Sequence, residues 1–386
     1  MKLALVRQGY TPFGGSERLL EYAIEAIQAR GASVTIISRN WPAAAGQEVL
    51  ICDPFYVGSL LRDRGFAAGV RHLVQTHDFD LVQAHERIVG CDIFHAGDGV
   101  HAEWLRQRRR IMGFGGRARL ALNPYHAYMK ATERKMFQSA RLRAVICVSK
   151  MVKQEIRDRF GVADDKLHVI YNGVDTGRFN LELASLYRSR VRAELRWPES
   201  DVVLLLVGSG FERKGVGVTI EALRELPSHV RLLVVGKDKR LEHYRAFAQR
   251  LGLGSRVEFT GGQKDVLPYY GAADIFVMPS VYEPFGNVVL EAFASGLPVV
   301  TSTKCGAGEL IEDNREGSVV DALDVRGLAA ALLALTDTAR RQAAGKAARR
   351  KAEGCTWNSM AASFNDLYQK LLAPVAQSTS PQPAQR

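Results

Sequence analysis

Apolar runs of strand length alternate with helical stretches along most of this chain. Two such runs, Lys2–Val6 and Ser33–Ser38, flank a helical pattern at 16–30 that ends before Gly31. A strand, a helix and a strand joined by short connections form the βαβ unit of a parallel sheet. Further strands are predicted at 81–84, 92–96 and 144–148, and Ser149 is the predicted N-cap of the helix that follows. The first half is therefore predicted to be a parallel α/β domain.

The alternation begins again after the turn sequence Asn172-Gly173-Val174-Asp175, where we place a domain boundary. Beyond it the pattern predicts strands at 202–207, 230–235, 257–259, 274–278 and 297–301, with helices at 216–226, 241–251 and 287–295. Ala- and Arg-rich helices follow residue 324, a final amphipathic helix covers 357–372, and the polar tail 373–386 is predicted to be disordered. We expect two doubly wound α/β domains that bind ligands in a cleft at the strands' carboxyl ends.

The composition narrows the class of protein. The chain has 386 residues and 47% hydrophobic residues, enough for two well-packed domains. No signal-peptide core follows Met1, and no apolar run reaches the ~18 residues of a membrane span, so a soluble cytoplasmic protein is expected. Its five cysteines are scattered without a C-x-x-C spacing, so neither a disulfide framework nor a zinc site is predicted.

Paired glycines, Gly14 and Gly15, lie between the first predicted strand and its helix. Glycines let backbone amides approach a phosphate closely, and a helix N-terminus attracts anions. An ordinary βα turn is the alternative.

A pair of cations, Arg213 and Lys214, follows the first strand of the second half within the run Gly208 to Gly215. At that position the two side chains would point into the cleft, where a diphosphate needs positive charge. A solvated pair at a helix start is the alternative, although cations are disfavoured beside a helix N-terminus.

Two glutamates, Glu283 and Glu291, lie eight positions apart, the first in a loop and the second within the predicted helix. Amides between Phe285 and Val288 would bind a phosphate at the helix N-terminus, while Glu291 accepts hydrogen bonds from a ribose. Glu283 would reach the sugar end of the same ligand. A capping acid plus a surface glutamate is the alternative interpretation.

Together, Gly14-Gly15, Arg213-Lys214-Gly215, the glutamate pair and the turn at 172–175 resemble the motifs of family 4 retaining glycosyltransferases. The resemblance extends to about residue 372, and the runs at 12–16, 208–215 and 235–238 are most similar to bacterial lipopolysaccharide core glucosyltransferases. It implies a GT-B fold of two Rossmann-like domains facing across a cleft. Domain 1–171 would bind the acceptor, domain 172–356 would bind the nucleotide sugar, and helix 357–372 would cross back to the first domain.

The resemblance also implies roles for individual residues. Arg213 and Lys214 would neutralise the diphosphate, Glu291 would hold the ribose and Glu283 would contact the donor sugar. Gly15 would lie against the donor phosphates or the acceptor, and the base would stack near 261–264. The implied donor-binding set is Gly14, Gly15, Gly210, Arg213, Lys214, Gln263, Glu283, Phe285, Gly286, Asn287, Val288 and Glu291.

The family also places a polar or acidic residue of the first domain against the reacting sugar. Asp98 is the candidate by resemblance, and His101 is its rival. A turn residue between glycines is the alternative interpretation of Asp98.

Retaining transfer of this type is expected to pass through an oxocarbenium-like state in which the leaving phosphate takes the acceptor proton. The protein would contribute positioning and charge stabilisation without a metal or other cofactor, with Asp98, Arg213, Lys214 and Glu283 as the catalytic set. Asp78 and Asp80 mimic a metal-binding D-x-D but precede a strand in the other half, so they are interpreted as turn residues. The expected reaction moves a hexose, glucose being the first choice, from UDP-glucose or a relative to a lipopolysaccharide core or related glycolipid.

A soluble sugar or polysaccharide acceptor is the second prediction for the same fold. A non-catalytic nucleic-acid-binding or scaffold protein is the third.

Positive charge is concentrated in one segment. The net charge is +11, and between residues 102 and 143 eleven Lys or Arg face two Glu. Cations interleaved with apolar residues suit an anionic membrane surface, each cation adding roughly 1 kcal/mol. This predicts a peripheral protein on the cytoplasmic face of the inner membrane.

A solvated charge run and an acceptor-phosphate pocket are alternatives, and nucleic-acid binding lacks a supporting motif. The predicted docking residues are Trp104, Arg106, Arg108, Arg109, Arg110, Phe114, Arg117 and Arg119.

Overall fold

The computed structural model describes residues 1–10, 21–22, 24–25, 27–28, 31–42, 48–312 and 315–373. The strands of its first half are Lys2–Val6, Ser33–Ser38, Glu48–Ile51, Leu81–Ala84, Ile93–His95, Ala144–Cys147 and Leu167–Val169, numbered β1 to β7. They form a seven-stranded sheet in the order β3-β2-β1-β4-β5-β6-β7, and every pairing is parallel. The α-helices of this half whose two ends are both described are Gly58–Thr76, His101–Arg110, Phe114–Leu122, Pro124–Phe137 and Lys150–Phe160.

The strands of the second half are Val202–Val207, Val230–Val235, Val257–Gly261, Ile275–Met278, Val299–Ser302 and Gly317–Val320, numbered β8 to β13. They form a six-stranded parallel sheet in the order β10-β9-β8-β11-β12-β13. The helices are Glu182–Glu194, Phe211–Lys214, Val216–Leu223, Leu241–Arg250, Leu267–Ala272, Asn287–Ala294, Val325–Ala334 and Thr338–Glu353. The two doubly wound domains predicted from the hydrophobic pattern are confirmed, and the predicted division at residue 172 falls between β7 and β8.

Both sheets are covered on both faces. In β8, Leu204 and Leu206 pack into one hydrophobic core while Leu205 and Val207 pack into another, as alternation along a strand requires. The second of these cores continues into the first domain, where it includes Val6 of β1. Parallel strands buried in this way are nearly continuous apolar runs, which is why the pattern was visible in the sequence.

The last helix, Trp357–Leu372, returns to the first domain. Thr356 and Ser359 form a capping box at its start, and its apolar face packs with Leu3 and Leu5 of β1. The Tyr368 hydroxyl donates to Gln83 Oε1 at 2.7 Å inside the first domain. The predicted crossing of this helix is confirmed.

Several elements were not predicted, and some ends differ by a few residues. Helix Gly58–Thr76 begins without a side-chain cap, and only three of its residues are buried, so it lacks a strong helical signal. The edge strands Glu48–Ile51 and Gly317–Val320 have only four residues each, too few to show a clear periodicity. The predicted helix at 16–30 is helical at each described position between 21 and 28. The tail beyond residue 373 and the glycines Gly14 and Gly15 lie outside the described residues.

Candidate active site

A cavity of about 610 Å³ lies between the two domains, where the carboxyl ends of both sheets face each other. It receives side chains from both halves of the chain, as expected for ligands bound in such a cleft. Of the predicted donor-binding and catalytic residues, those lining it are Asp98, Arg213, Lys214, Gln263, Glu283, Phe285, Gly286, Asn287, Val288 and Glu291.

Glu283 holds both cations of the second domain. Its Oε2 accepts from Arg213 Nη1 and, at 2.5 Å, from Lys214 Nζ. Lys214 is buried, at 7% exposure, and Arg213 is about one third exposed. Burial raises the pKa of the Glu283 carboxyl, but Lys214 and then Arg213 more than offset this and hold the pKa below its usual value. One carboxylate thus faces two cations, which leaves a net positive charge for an anionic ligand.

A helix N-terminus adds to this positive field. Helix Asn287–Ala294 begins after Gly286, whose φ of +97° is a left-handed conformation suited to glycine. The Asn287 side chain accepts from Asn172 Nδ2 at 2.7 Å and so ties the turn between the domains to the start of the helix. The turn at Phe285 to Val288 lines the cavity beside Glu283, as a phosphate-binding helix start requires.

Glu291 lies one turn further along the same helix. Its Oε2 accepts from the Tyr270 hydroxyl at 2.8 Å. Tyr270 is buried, and burial followed by the neighbouring Glu291 raises the pKa of its phenol far above the usual value. The phenol therefore stays a donor, and it holds the carboxylate at the cavity wall in position to accept further hydrogen bonds.

Asp98 reaches the cavity from the first domain. It is exposed in the turn after β5, between Gly97 and Gly99. Arg87 fixes this turn, because its Nη2 donates to the Gly99 carbonyl at 2.9 Å while its Nε pairs with buried Glu133 at 2.8 Å. The structure thus places Asp98 across the cleft from the Glu283 cluster.

His101 does not line the cavity. It is 9% exposed, and its Nε2 lies 3.1 Å from Nδ1 of His126. Burial, with smaller effects of Arg87 and His126, lowers the pKa of His101 to about 3, so the ring is neutral at pH 7. The structure therefore places Asp98 at the cavity wall, while His101 is buried outside it.

Gly210 is also absent from the cavity wall, where Gly208 and Ser209 stand instead. Gly210 precedes the short helix Phe211–Lys214 with a φ of +77°. Asp78 and Asp80 do not line the cavity. Both contact Lys2 instead: Asp80 accepts a hydrogen bond from the Lys2 backbone N–H at 2.7 Å, and Asp78 pairs with the Lys2 ammonium at 3.5 Å. Within the described ranges no group of side chains is arranged to hold a metal ion.

Several residues of the cavity wall were missed by sequence reasoning. Arg7 directly follows β1, His85 directly follows β4, and His95 ends β5. The rings of His85 and His95 stack with centroids 4.4 Å apart, and burial lowers the pKa of His95 to about 4. Their position at carboxyl ends of strands was a signal that could have identified them. The other missed residues include Arg178, Trp357 and Phe364, whereas Asp175 belongs to the predicted turn motif at 172–175 and Lys264 to the predicted base loop at 261–264.

The basic segment contains the helices His101–Arg110, Phe114–Leu122 and Pro124–Phe137, and the predicted docking residues lie on the first two. Part of its charge is used within the molecule: Arg106 pairs with buried Glu103 at 2.6 Å, and Arg110 pairs with Asp321 of the second domain at 2.7 Å. Arg108 lies over the half-buried ring of Trp104. Arg109, Arg117, Arg119 and Phe114 are exposed, the last at 90%, and the paired Arg106 and Arg110 are exposed too. Among the helices that the structure describes, none is long and apolar enough to cross a membrane.

Two family models match the chain, one to each half. Residues 13–178 match the model described as Glycosyltransferase Family 4, and residues 188–351 match the model described as Glycosyl transferases group 1. The lipopolysaccharide glucosyltransferase WaaG of Escherichia coli is 29% identical over 326 residues, which are 83% of this chain and 85% of that protein. The lipopolysaccharide core biosynthesis glycosyltransferase LpsE of Rhizobium meliloti is 39% identical over 141 residues, 36% and 41% of the two chains.

Solved structures show the same architecture. The crystal structure of WaaG superposes with a TM-score of 0.80 at 27% identity and covers 95% of this chain and 99% of that one. Anabaena HepE in complex with UDP and glucose gives a TM-score of 0.71 at 21% identity, covering 96% and 100% of the two chains. At that identity the second match supports the fold alone.

Proposed function

Because the chain belongs to the family 4 glycosyltransferases and has the GT-B fold, we propose that it transfers a hexose, with retention, from a UDP-sugar to a lipopolysaccharide core or related glycolipid. The observation that carries the proposal is the cleft itself, in which Glu283, Arg213 and Lys214 of one domain face Asp98 of the other. The similarity to a lipopolysaccharide glucosyltransferase over 83% of the chain supports glucose as the sugar and the core as the acceptor.

The proposed donor would lie along the second-domain wall of the cavity, with its base, ribose, diphosphate and hexose each beside a different group of residues. Its diphosphate would lie between the two cations and the N-terminus of helix Asn287–Ala294, where charge-assisted bonds are strongest. Glu291 would accept from the ribose hydroxyls, and the base would lie near Gln263. The hexose then extends toward Glu283, which would bind its hydroxyls.

The cations have a further role in the reaction. When the bond between sugar C1 and the diphosphate oxygen breaks, negative charge grows on the departing phosphate, and Arg213 and Lys214 stabilise it. The acceptor oxygen bonds to C1 on the same face, and its proton passes to the departing phosphate oxygen. In this scheme Asp98 stabilises and orients the positively charged sugar from the first-domain side, and neither glutamate transfers a proton.

The acceptor is the less constrained half of the proposal. Relatives act on several acceptors by name, including a phosphatidylinositol monomannoside mannosyltransferase of Mycobacterium tuberculosis that is 34% identical over 236 residues. A glycolipid in the cytoplasmic leaflet of the inner membrane would place this protein there as a peripheral enzyme, docked through the exposed cations of the basic segment. A soluble sugar or polysaccharide acceptor is the second candidate. The non-catalytic alternative is set aside, since both family models describe glycosyltransferases.

The proposal is tested by incubating the purified chain with a panel of nucleotide sugars and purified lipopolysaccharide core acceptors of defined length. We expect one UDP-hexose to be consumed only when a core acceptor is present, with an α-linked product identified by mass spectrometry and NMR. Glu212→Gln is a suitable control, because Glu212 adjoins Arg213 but pairs with Arg240 outside the cavity. Turnover with soluble acceptors alone would favour the second candidate, and an inverted anomeric product would contradict the mechanism.

A further inference from the structure

Residues 304–309 of the second domain, which we call the bridging segment, follow strand β12 and lie between the Glu283 loop and the first domain. None of these six residues lines the cavity, and the function proposed above assigns no role to them. Their backbone pairs with the loop: the Glu283 N–H donates to the Lys304 carbonyl at 2.8 Å, and the Gly306 N–H donates to the Glu283 carbonyl at 2.9 Å. A movement of the segment therefore moves the loop that carries Glu283.

The side chain of Lys304 reaches the first domain. Its ammonium lies 2.8 Å from Glu155 Oε1 and 3.4 Å from Glu103 Oε1, which belong to two different first-domain helices. The side chains of Glu155 and Glu103 are only 9% and 5% exposed. Burial raises the pKa of Glu155, although hydrogen bonds from Lys304 and Tyr282 oppose this effect. Glu155 thus depends on a cation of the other domain, and losing one partner of a buried ion pair is costly.

The other end of the segment binds the start of a first-domain helix. The two oxygens of Glu309 accept from the backbone N–H of Lys150 at 2.7 Å and of Met151 at 3.2 Å, in the first turn of helix Lys150–Phe160. The first N–H groups of a helix have no partner within it, and they attract negative charge. A carboxylate of the second domain therefore supplies what this first-domain helix lacks.

Between these two ends, the domains are in direct contact at Gly306. The Ser149 hydroxyl of the first domain donates to the carbonyl of Pro284, the residue after Glu283, at 2.8 Å. A Cβ on Gly306 would lie 2.0 Å from that carbonyl oxygen and 2.7 Å from Ser149 Oγ. Gly306 does not have a positive φ, so the close approach and not the backbone conformation requires glycine here.

We propose that the bridging segment positions Glu283 for the donor hexose, with Lys304 and Glu309 as positioning residues that act through the loop without touching the ligand. Contacts with the first domain at both ends of the segment would fix the loop backbone, and with it the Glu283 carboxylate beside Arg213 and Lys214. Without them the nucleotide would still bind the second domain, but the hexose would be held less precisely, and a displacement of about 1 Å is enough to slow turnover. The inference rests on the proposed function in one respect, namely that Glu283 contacts the donor sugar.

The first test breaks the contact from the first-domain side. Glu155→Gln keeps an acceptor for Tyr282 but removes the charge opposite Lys304. We expect kcat to fall roughly tenfold, while the Kd for UDP from calorimetry stays within about twofold of the wild type. Lys304→Met should behave alike, and the double variant should lose no more than either single one, because both remove the same interaction. Lys304→Arg keeps the cation and should recover most of the turnover.

Lys351→Met is the matched control, because Lys351 pairs with Glu312 inside the second domain and does not line the cavity. It should turn over like the wild type. An unchanged kcat in Glu155→Gln overturns the proposal. So does a loss of UDP affinity as large as the loss of kcat, since the contact would then support the whole second-domain site.

Amide hydrogen exchange gives a second readout that needs neither donor nor acceptor. Because the Gly306 N–H donates to the Glu283 carbonyl, its exchange rate in the ligand-free chain, measured by NMR, reports whether the loop is held. Glu155→Gln should speed this exchange roughly tenfold or more, and Lys351→Met should leave it unchanged. Equal exchange in Glu155→Gln and the wild type contradicts the inference even if kcat falls, because the loop would not have been released.

The two proposals can fail separately. A chain that transfers no sugar, but whose Gly306 amide responds to Glu155→Gln, contradicts the proposed function alone. A chain that makes the α-linked product, yet is indifferent to Glu155→Gln, contradicts the positioning alone. Gly306→Ala covers a Glu155 variant that does not fold, because its methyl group enters the contact with Pro284 and leaves the charged side chains in place. It should lower kcat with UDP binding kept, and normal turnover would overturn the proposal.

Discussion

The Tyr282 hydroxyl is hydrogen-bonded to the Val100 backbone across the domain interface. The Val100 N–H donates to the Tyr282 hydroxyl at 3.0 Å, and that hydroxyl donates to Glu155 Oε2 at 2.7 Å. Gly99 permits the approach, since it has a φ of +64° and a Cβ there would lie 2.3 Å from the phenol oxygen. Tyr282 directly precedes Glu283, and Val100 follows Asp98 by two positions. One phenol thus sets the distance between the two sides of the candidate active site.

Replacing Tyr282 by Phe should lower kcat by roughly tenfold with little change in the donor KM, because the Asp98 turn loses its link to the Glu283 loop. Loss of two hydrogen bonds should also lower the free energy of unfolding by about 1–3 kcal/mol. Steady-state kinetics and denaturant unfolding measure the two effects. Tyr187→Phe, on a second-domain helix outside the cavity wall, is the control. An unchanged kcat would show that the link does not position Asp98.

Replacing Glu291 by Ala should mainly weaken donor binding. A carboxylate that accepts hydrogen bonds from a ribose contributes about 1.5–3 kcal/mol, so the Kd for UDP should rise roughly tenfold to hundredfold. Isothermal titration calorimetry measures this directly. Glu291→Gln keeps an acceptor for Tyr270 and should lose less affinity. A normal Kd with a reduced kcat would contradict the ribose role.

Replacing Asp98 by Ala should do the opposite. Because Asp98 is assigned to the reacting sugar and not to the nucleotide, kcat should fall by roughly 10²-fold or more while the Kd for UDP stays near the wild-type value. His101→Ala serves as the comparison, since His101 does not line the cavity. If the His101 variant instead loses turnover and the Asp98 variant keeps it, the two assignments must be exchanged.

The Glu283 cluster should make stability depend on pH in a defined direction. The pKa of Glu283 is lowered in the folded chain, so its contribution is complete above the unfolded-state pKa of about 4.3 and is lost as pH falls through the folded pKa. Glu283→Gln should therefore be less stable than the wild type at pH 7 by about 1–3 kcal/mol. This difference should shrink below about pH 4.3.

Urea unfolding of both proteins, from pH 7 down to the lowest pH at which the wild type folds, measures that difference. A gap that stays constant over the whole range would mean that the Glu283 carboxylate is not stabilised by Lys214 and Arg213. UDP should also raise the unfolding temperature of both proteins if its diphosphate binds the two cations.

The sequence was sufficient for the elements that carry the donor motifs. Buried parallel strands are continuous apolar runs, so the strand before the motif could be read from the sequence. The combination of Gly286 with the two acids then identified the loop at Glu283 and the helix that contains Glu291. The contact of Glu283 with Lys214 was not predicted, because 69 positions separate them and a contact between two distant segments of one domain leaves no periodic pattern in the sequence. Arg7, His85 and His95 were missed because each is a single residue at the carboxyl end of a different strand, so their position at the strand ends was the one sequence signal for them.

The sequence by itself determined the two α/β domains, the spacing of the acids and the location of the excess charge, because these depend on local periodicity and composition. Tertiary structure alone decided that Asp98 lines the cleft while His101 is buried against His126. It also decided that Arg106 and Arg110 pair within the molecule while Phe55 is left in solvent. These outcomes depend on how helices and domains pack against each other, and residues far apart in the chain meet only through that packing.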